Sequence, residues 1–198
     1  VACTGGGDVI VTDNAAGDQN PAVGAINLSG VVVNGVTVVL HGAVTKPILG
    51  SAALPSMDLT YQLNGTGSIW LYMSDTDFTG HTALGVNFND SIGSSITGRV
   101  WGGSSNADLD LSTPLIGTLA GSGAFSVSGN TSIVGNGINP YSLTLGVNAV
   151  NVGFTSGDIS FTPVATVPEP GSLVLLGFGL FGAAGAVRGK KITNRTRQ

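Results

Sequence analysis

Met57-Asp58-Leu59-Thr60-Tyr61-Gln62-Leu63-Asn64 alternates apolar and polar side chains without a break. Successive side chains of a β-strand point to opposite faces, so this stretch reads as a strand with one face in a core and the other toward water. Tyr141, Leu143, Leu145 and Val147 alternate in the same way with Ser142, Thr144, Gly146 and Asn148. Two valine-rich runs, 25–33 and 36–44, flank Asn34-Gly35. Both central positions of a type I′ turn take φ above zero, which Asn and Gly tolerate, so the pair predicts a two-residue hairpin. Asn64-Gly65 ahead of a strand over 68–74 predicts a second hairpin with a slightly longer loop. Further strands are expected at 8–12, 95–101, 123–128 and 158–163, and no amphipathic helix precedes residue 171.

Many short strands separated by turn signals predict an all-β fold, an antiparallel β-sandwich of jelly-roll-like form over residues 1–162. A β-solenoid is the alternative, but the chain lacks the fixed repeat of about 20 to 50 residues that such folds show. Composition agrees with strands and tight turns. The chain has 32 glycines in 198 residues, and charged residues make up 9%, against about 25% in ordinary soluble proteins. The glycines follow no three-residue period, which excludes collagen. Before residue 167 the only basic residues are Lys46 and Arg99, against ten aspartates and no glutamate. Phosphate binding needs clustered Lys and Arg, so nucleic acid is excluded as a partner.

The C-terminal end is of a different kind. Val167-Pro168-Glu169-Pro170 precedes an apolar run over 171–187 whose only polar side chain is Ser172, and Arg188, Lys190, Lys191, Arg195 and Arg197 follow it. At about 1.5 Å per residue a helix over the run spans roughly 25 Å, the short end of what crosses a hydrocarbon core of about 30 Å. The basic cluster decides the matter, because it holds that end in the cytoplasm and places the upstream chain on the far side. Pro168 and Pro170 lack backbone N–H groups and favour extended predecessors, so the helix should begin after Pro170. The expected segments are therefore a linker at 163–170, a transmembrane helix at 171–187 and a basic cytoplasmic tail at 188–198.

This order of a Val-Pro-Glu-Pro motif, an apolar Leu/Gly-rich stretch and a terminal basic cluster resembles the PEP-CTERM sorting signal of Gram-negative bacteria. The resemblance implies that Pro168, Glu169 and Pro170 are the sorting motif and that Arg188, Lys190 and Lys191 are the cytoplasmic retention cluster. It further implies an exosortase partner in the inner membrane, transient residence there, and delivery to the cell surface or an extracellular, polysaccharide-rich biofilm matrix. The basic tail, which continues to Gln198, is longer than the abrupt ending common in the family. Upstream, Thr12-Asp13-Asn14, Gly17-Asp18, Gly24-Ala25-Ile26, Lys46-Pro47, Gly50-Ser51, Pro55-Ser56-Met57-Asp58-Leu59 and Ser74-Asp75-Thr76-Asp77-Phe78 resemble a domain that accompanies such signals and has no established activity.

Catalytic signatures are absent from the sequence: it holds no Gly-x-Ser-x-Gly, His-Glu-x-x-His, Cys-x-x-Cys or phosphate-binding glycine loop. His41 and His81 are the only histidines, and neither has a recognisable partner. No cofactor is expected, apart from Ca²⁺ as a weighed option at Ser74-Asp75-Thr76-Asp77 or Asn106-Ala107-Asp108-Leu109-Asp110, which lack the Gly and Glu positions of an EF-hand. Short Asp-rich turns are more often solvated or self-capped. Trp70, Tyr72 and Trp101 read either as a sugar-stacking face or as core and cross-strand aromatics. Asn27, Asn64, Asn89 and Asn130 each open an Asn-x-Ser/Thr sequon. Cys3 is the single cysteine, so no intrachain disulfide forms. With Val1 first and no secretory apolar region, a signal peptide is expected to have been removed or left off, leaving Cys3 as a lipidated residue or an incidental thiol. The expected function is a non-enzymatic, exported structural or adhesive β-module that extracellular polysaccharide would partner. The alternatives are a polysaccharide-processing enzyme and a permanent single-pass membrane protein.

Overall fold

A computed structural model of the chain describes residues 1–91 and 95–164. Two short strands, β1 (Ala2–Thr4) and β2 (Val9–Ile10), precede a hairpin of β3 (Ala25–Val33) and β4 (Val36–Val44). Then come β5 (Met57–Gly65), β6 (Ile69–Phe78), β7 (Leu84–Asp90) and β8 (Ser95–Gly103). The last four are β9 (Thr113–Gly121), β10 (Phe125–Asn130), β11 (Tyr141–Val150) and β12 (Phe154–Pro163). One six-stranded sheet has the order β2-β1-β6-β11-β8-β9 and the other β10-β7-β12-β5-β4-β3.

Every strand pairing is antiparallel, with β5 beside β12, β6 beside β11, β7 beside β10 and β8 beside β9. A long two-stranded ribbon, wrapped so that successive pairs fall alternately in the two sheets, nests its strands in this jelly-roll order. The sandwich expected from sequence is therefore formed, and the solenoid is not. The expected helix at 171–187, like residues 165–170 of the linker and the tail at 188–198, lies outside the described residues. Residues 163 and 164 belong to the sheet region: Pro163 ends β12, and the Val164 N–H donates to Ala83 O at 2.8 Å.

The alternation in β5 is realised side chain by side chain. Met57, Leu59, Tyr61 and Leu63 are fully buried, while Asp58, Thr60 and Gln62 stay partly exposed. Leu71, Leu143, Leu145, Val147, Ile159 and Phe161 meet them from the other strands, each large apolar side chain contributing about 1.5–3 kcal/mol by leaving water. Asn34 and Gly35 take φ of 49° and 73°, the two positive values of the expected turn between β3 and β4.

The second expected hairpin does not form. β5 and β6 lie in different sheets, so Asn64-Gly65 begins a corner between the sheets and not a paired turn. The corner packs closely on the first hairpin: Gly65 pairs with Val36, a Cβ on Gly65 would lie 2.1 Å from Gly35 O, and one on Gly67 1.8 Å from Asn34 O. An Asn-Gly pair signals a reversal, and what the flanking strands can reach decides whether they pair. β1, β7 and β9 are absent from the sequence-based strand set. Leu84, Val86 and Phe88 of β7 alternate cleanly with Gly85, Asn87 and Asn89, whereas β9 carries Pro114 and shows no alternation.

Candidate functional site

The outer face of the first sheet gathers Trp70, Tyr72, Trp101 and Arg99. β6 turns Ile69, Leu71 and Met73 inward and leaves Trp70 and Tyr72 half-buried on the other face. β8 turns Arg99 and Trp101 to that same face. Between them β11 runs with Gly146 opposite Tyr72 on one side and Arg99 on the other. A Cβ on Gly146 would lie 2.5 Å from the Trp101 ring and 3.0 Å from Tyr72, so glycine here lets the rings close over the strand. Trp70 and Tyr72 stack with centroids 5.3 Å apart and planes 4° from parallel. Trp101 meets Trp70 edge-on at 6.1 Å and Tyr72 at a tilt at 5.9 Å.

Arg99 completes the cluster. Its guanidinium carbon lies 5.6 Å from the Trp70 ring centroid, within cation–π range, and its Nε is buried without a hydrogen-bond partner. Among the described residues the ion pair that forms is Lys46 with Asp75, and no carboxylate pairs with Arg99. Burial pushes the Tyr72 hydroxyl above its usual pKa, partly offset by Arg99. The aromatic trio was legible as a candidate; Arg99 was not named with it, although it lies two residues before Trp101 and therefore on the same strand face.

The two aspartate groups weighed separately for Ca²⁺ turn out to be one junction. The Asp77 N–H donates to Asn106 Oδ1 at 2.7 Å, and Asn106 Nδ2 donates back to Asp77 Oδ1 at 2.8 Å. The Leu109 N–H donates to Ser74 Oγ at 2.9 Å, which folds the β8–β9 loop over β6 and β11 and explains why Ser142 and Thr144 are buried on an outer face. Ser105 and Ser112 hold the Asp110 carboxyl down to about 2. Asp75 accepts from Thr45 Oγ1 at 2.7 Å and from Lys46 Nζ at 2.8 Å. Lys46 also donates to Thr76 O and lies 4.4 Å from the Phe78 ring centroid.

The segments that resemble an upstream domain thus converge on a stitch between the two sheets. Nearby, the Gly24 N–H donates to Asp13 Oδ2 at 2.8 Å, while Asp18 Oδ1 accepts from the Asn20 and Asn27 N–H groups. A groove of about 320 Å³ opens beside the stitch, with Asp13, Lys46, Asp75 and Asp108 in its wall. Among the described residues no three His, Cys, Asp or Glu side chains are placed to share a metal ion.

Neither histidine has a carboxylate partner among its hydrogen bonds: His41 Nε2 meets Gln62 Oε1 at 3.4 Å, and His81 Nδ1 meets Gly135 O at 2.6 Å. Asp58 and Asp158 sit on neighbouring strands of the second sheet's outer face, opposite Ser160 and Thr60 respectively. Burial and then the Asp158 charge raise the Asp58 pKa. Of the sequons, Asn64 and Asn130 are exposed, whereas Asn27 and Asn89 are half-buried and Asn89 Nδ2 is bonded to Asp158 at 2.9 Å.

Cys3 is a core residue, opposite Leu71 in the β1–β6 ladder, and burial pushes its thiol up to about 11. A lipid on its sulfur would require β1 to leave the sheet. Native protein should therefore react with a maleimide at least about a hundredfold more slowly than unfolded protein. Equal rates would place the thiol outside the core.

The sorting residues Pro168, Glu169, Pro170, Arg188, Lys190 and Lys191 lie outside the described residues. No curated protein matches the chain. Among solved structures, the enzymatically active domain of tailspike protein 4 of bacteriophage CBA120 aligns at 6% identity and a TM-score of 0.35, covering 69% of this chain and 21% of that one. Carbohydrate-binding modules of the β-sandwich superfamily align at 10% identity and 0.32, over 67% of this chain and 56% of that one. The Podospora anserina GH26-CBM35 β-(1,4)-mannanase aligns at 16% identity and 0.28, over 74% and 29%. The chain thus spans about a fifth of the length of the tailspike domain. The model of the PEP-CTERM protein-sorting motif matches residues 166–191, so this chain is a PEP-CTERM sorting domain-containing protein.

Proposed function

We propose that the chain is an exported cell-surface or extracellular-matrix protein, sorted and cleaved by an exosortase, whose β-domain is a non-catalytic structural or adhesive module. The observation that carries this reading is the sorting motif at residues 166–191. In the proposed division, residues 1–164 form the exported module, 165–170 the linker with Pro168, Glu169 and Pro170, 171–187 the membrane helix, and 188–198 the cytoplasmic tail. Arg188, Lys190 and Lys191 hold the tail in the cytoplasm by the positive-inside rule. The module then emerges on the far side, where extracellular polysaccharide is its partner.

Hydrolysis of glycosidic bonds, the enzymatic alternative, uses one protonated carboxyl and one free carboxylate set apart across the substrate. In the groove beside the stitch, Asp75 is held by Lys46 and Thr45 and Asp13 by Gly24 and Asn14. These bonds suit a structural role better than an acid–base pair.

Mass spectrometry of the mature C-terminus from producing cells tests the sorting reading. Loss of residues 171–198 from the released protein is expected. A surface-located chain that retains residues 171–187 would instead identify a permanent single-pass membrane protein.

A further inference from the structure

The guanidinium of Arg99 is partly removed from water and, among the described residues, pairs with no carboxylate, in a domain otherwise rich in them. Its Nε is buried without a partner, its contact with Trp70 is through the ring face, and no carboxylate of the described residues reaches it. Across this face the strands present Ser74, Thr97, Thr144, Gly146 and Asn148 beside the three rings, and none of these residues is acidic. A partly desolvated cation without a counter-ion is an unfavourable element of a fold unless a ligand brings the charge that completes it. The fork of an arginine matches a carboxylate, and the half-buried Trp70 and Tyr72 side chains offer an amphipathic surface beside it.

We propose that this face binds an anionic polysaccharide strand, with the C–H faces of its pyranose rings against the half-buried Trp70 and Tyr72, which the buried Trp101 backs, and the carboxylate of a uronic acid residue on Arg99. The proposal rests on the polysaccharide-facing reading of the module and names the chemical class and the residues. The acidity of the rest of the domain slows the approach of such a strand at low salt. At physiological ionic strength the screening length is about 8 Å, so charges beyond the face matter little to the bound state.

The chain's only two tryptophans, Trp70 and Trp101, both lie in the cluster, so their fluorescence reads the face directly. The full chain in detergent is titrated with oligomers of galacturonate, alginate and hyaluronan, each alongside its carboxyl-reduced, neutral counterpart. A saturable change in emission with at least one uronate oligomer is expected, at least about tenfold tighter than with its neutral counterpart. Arg99→Gln should erase that difference, and Arg99→Lys, which keeps the charge without the fork, should fall between. If Arg99→Gln lowers the melting temperature, the Arg99→Lys variant carries the comparison. Equal affinity for acidic and neutral oligomers overturns the assignment to an anionic strand while leaving polysaccharide binding intact. No saturable response to any oligomer overturns both.

Discussion

Replacing Pro168, Glu169 and Pro170 together by alanine is expected to leave the full-length chain in the inner membrane, with the released fraction falling at least about tenfold. The physical reason is local. Alanine is the strongest helix former and proline the weakest, by about 3 kcal/mol per residue, so the triple replacement would let the helix proposed for 171–187 extend upstream through the motif. The same change removes Glu169, the only glutamate of the chain, whose negative charge would favour the N-terminus of that proposed helix. An exosortase that reads an extended, acidic segment then has nothing to read. Immunoblots of membrane and released fractions give the result directly. Glu169→Gln separates the two parts, because it keeps both prolines and removes only the charge. Undiminished release of the triple variant would remove the sorting role from these residues.

Asp90→Ala is expected to lower unfolding stability by about 3 kcal/mol, because it strips the shared acceptor from two buried hydroxyls. Asp90 lies at the end of β7 on the inner face, 6% exposed. Tyr61 of β5 donates its hydroxyl to Asp90 Oδ2 at 2.8 Å, and Thr155 of β12 donates to Oδ1. Burial, followed by the Asp90 charge and hydrogen bond, holds the Tyr61 hydroxyl far above its usual pKa, so it stays a donor at any working pH. In a domain of this size a loss of about 3 kcal/mol lowers Tm by roughly 6–12 °C. The informative comparison is the triple variant Asp90→Ala, Tyr61→Phe, Thr155→Val. It removes both orphaned hydroxyls and should be more stable than Asp90→Ala alone. Thermal unfolding followed by circular dichroism ranks the variants, and a triple variant less stable than the single would show that the network stabilises in its own right.

Legibility of the fold followed from how local each signal was. The β5 alternation and the Asn34-Gly35 turn are carried by neighbouring residues, and both are realised as read. Asn64-Gly65 was misread as a hairpin because the same dipeptide serves a reversal within a sheet and a corner between sheets. What separates the two is the approach of Gly65 and Gly67 to the backbone of Asn34 and Gly35, some thirty residues earlier. The aspartate groups show the same limit. Ser74 to Asp77 and Asn106 to Asp110 appeared as two turns, and the reciprocal bonds between Asp77 and Asn106 make them one.

By itself the sequence determined the all-β class, the principal strands, the first hairpin and the sorting signal, since periods, turn dipeptides and a tripartite tail are properties of contiguous residues. The tertiary structure decided which strands share a sheet, that Lys46 and Asp75 stitch the two sheets, and that Arg99 joins Trp70, Tyr72 and Trp101 over Gly146. Those outcomes depend on pairings such as β6 with β11 and β5 with β12, between segments far apart in the chain. Such pairings are selected by the burial of a common core, to which every strand contributes and which no single segment encodes.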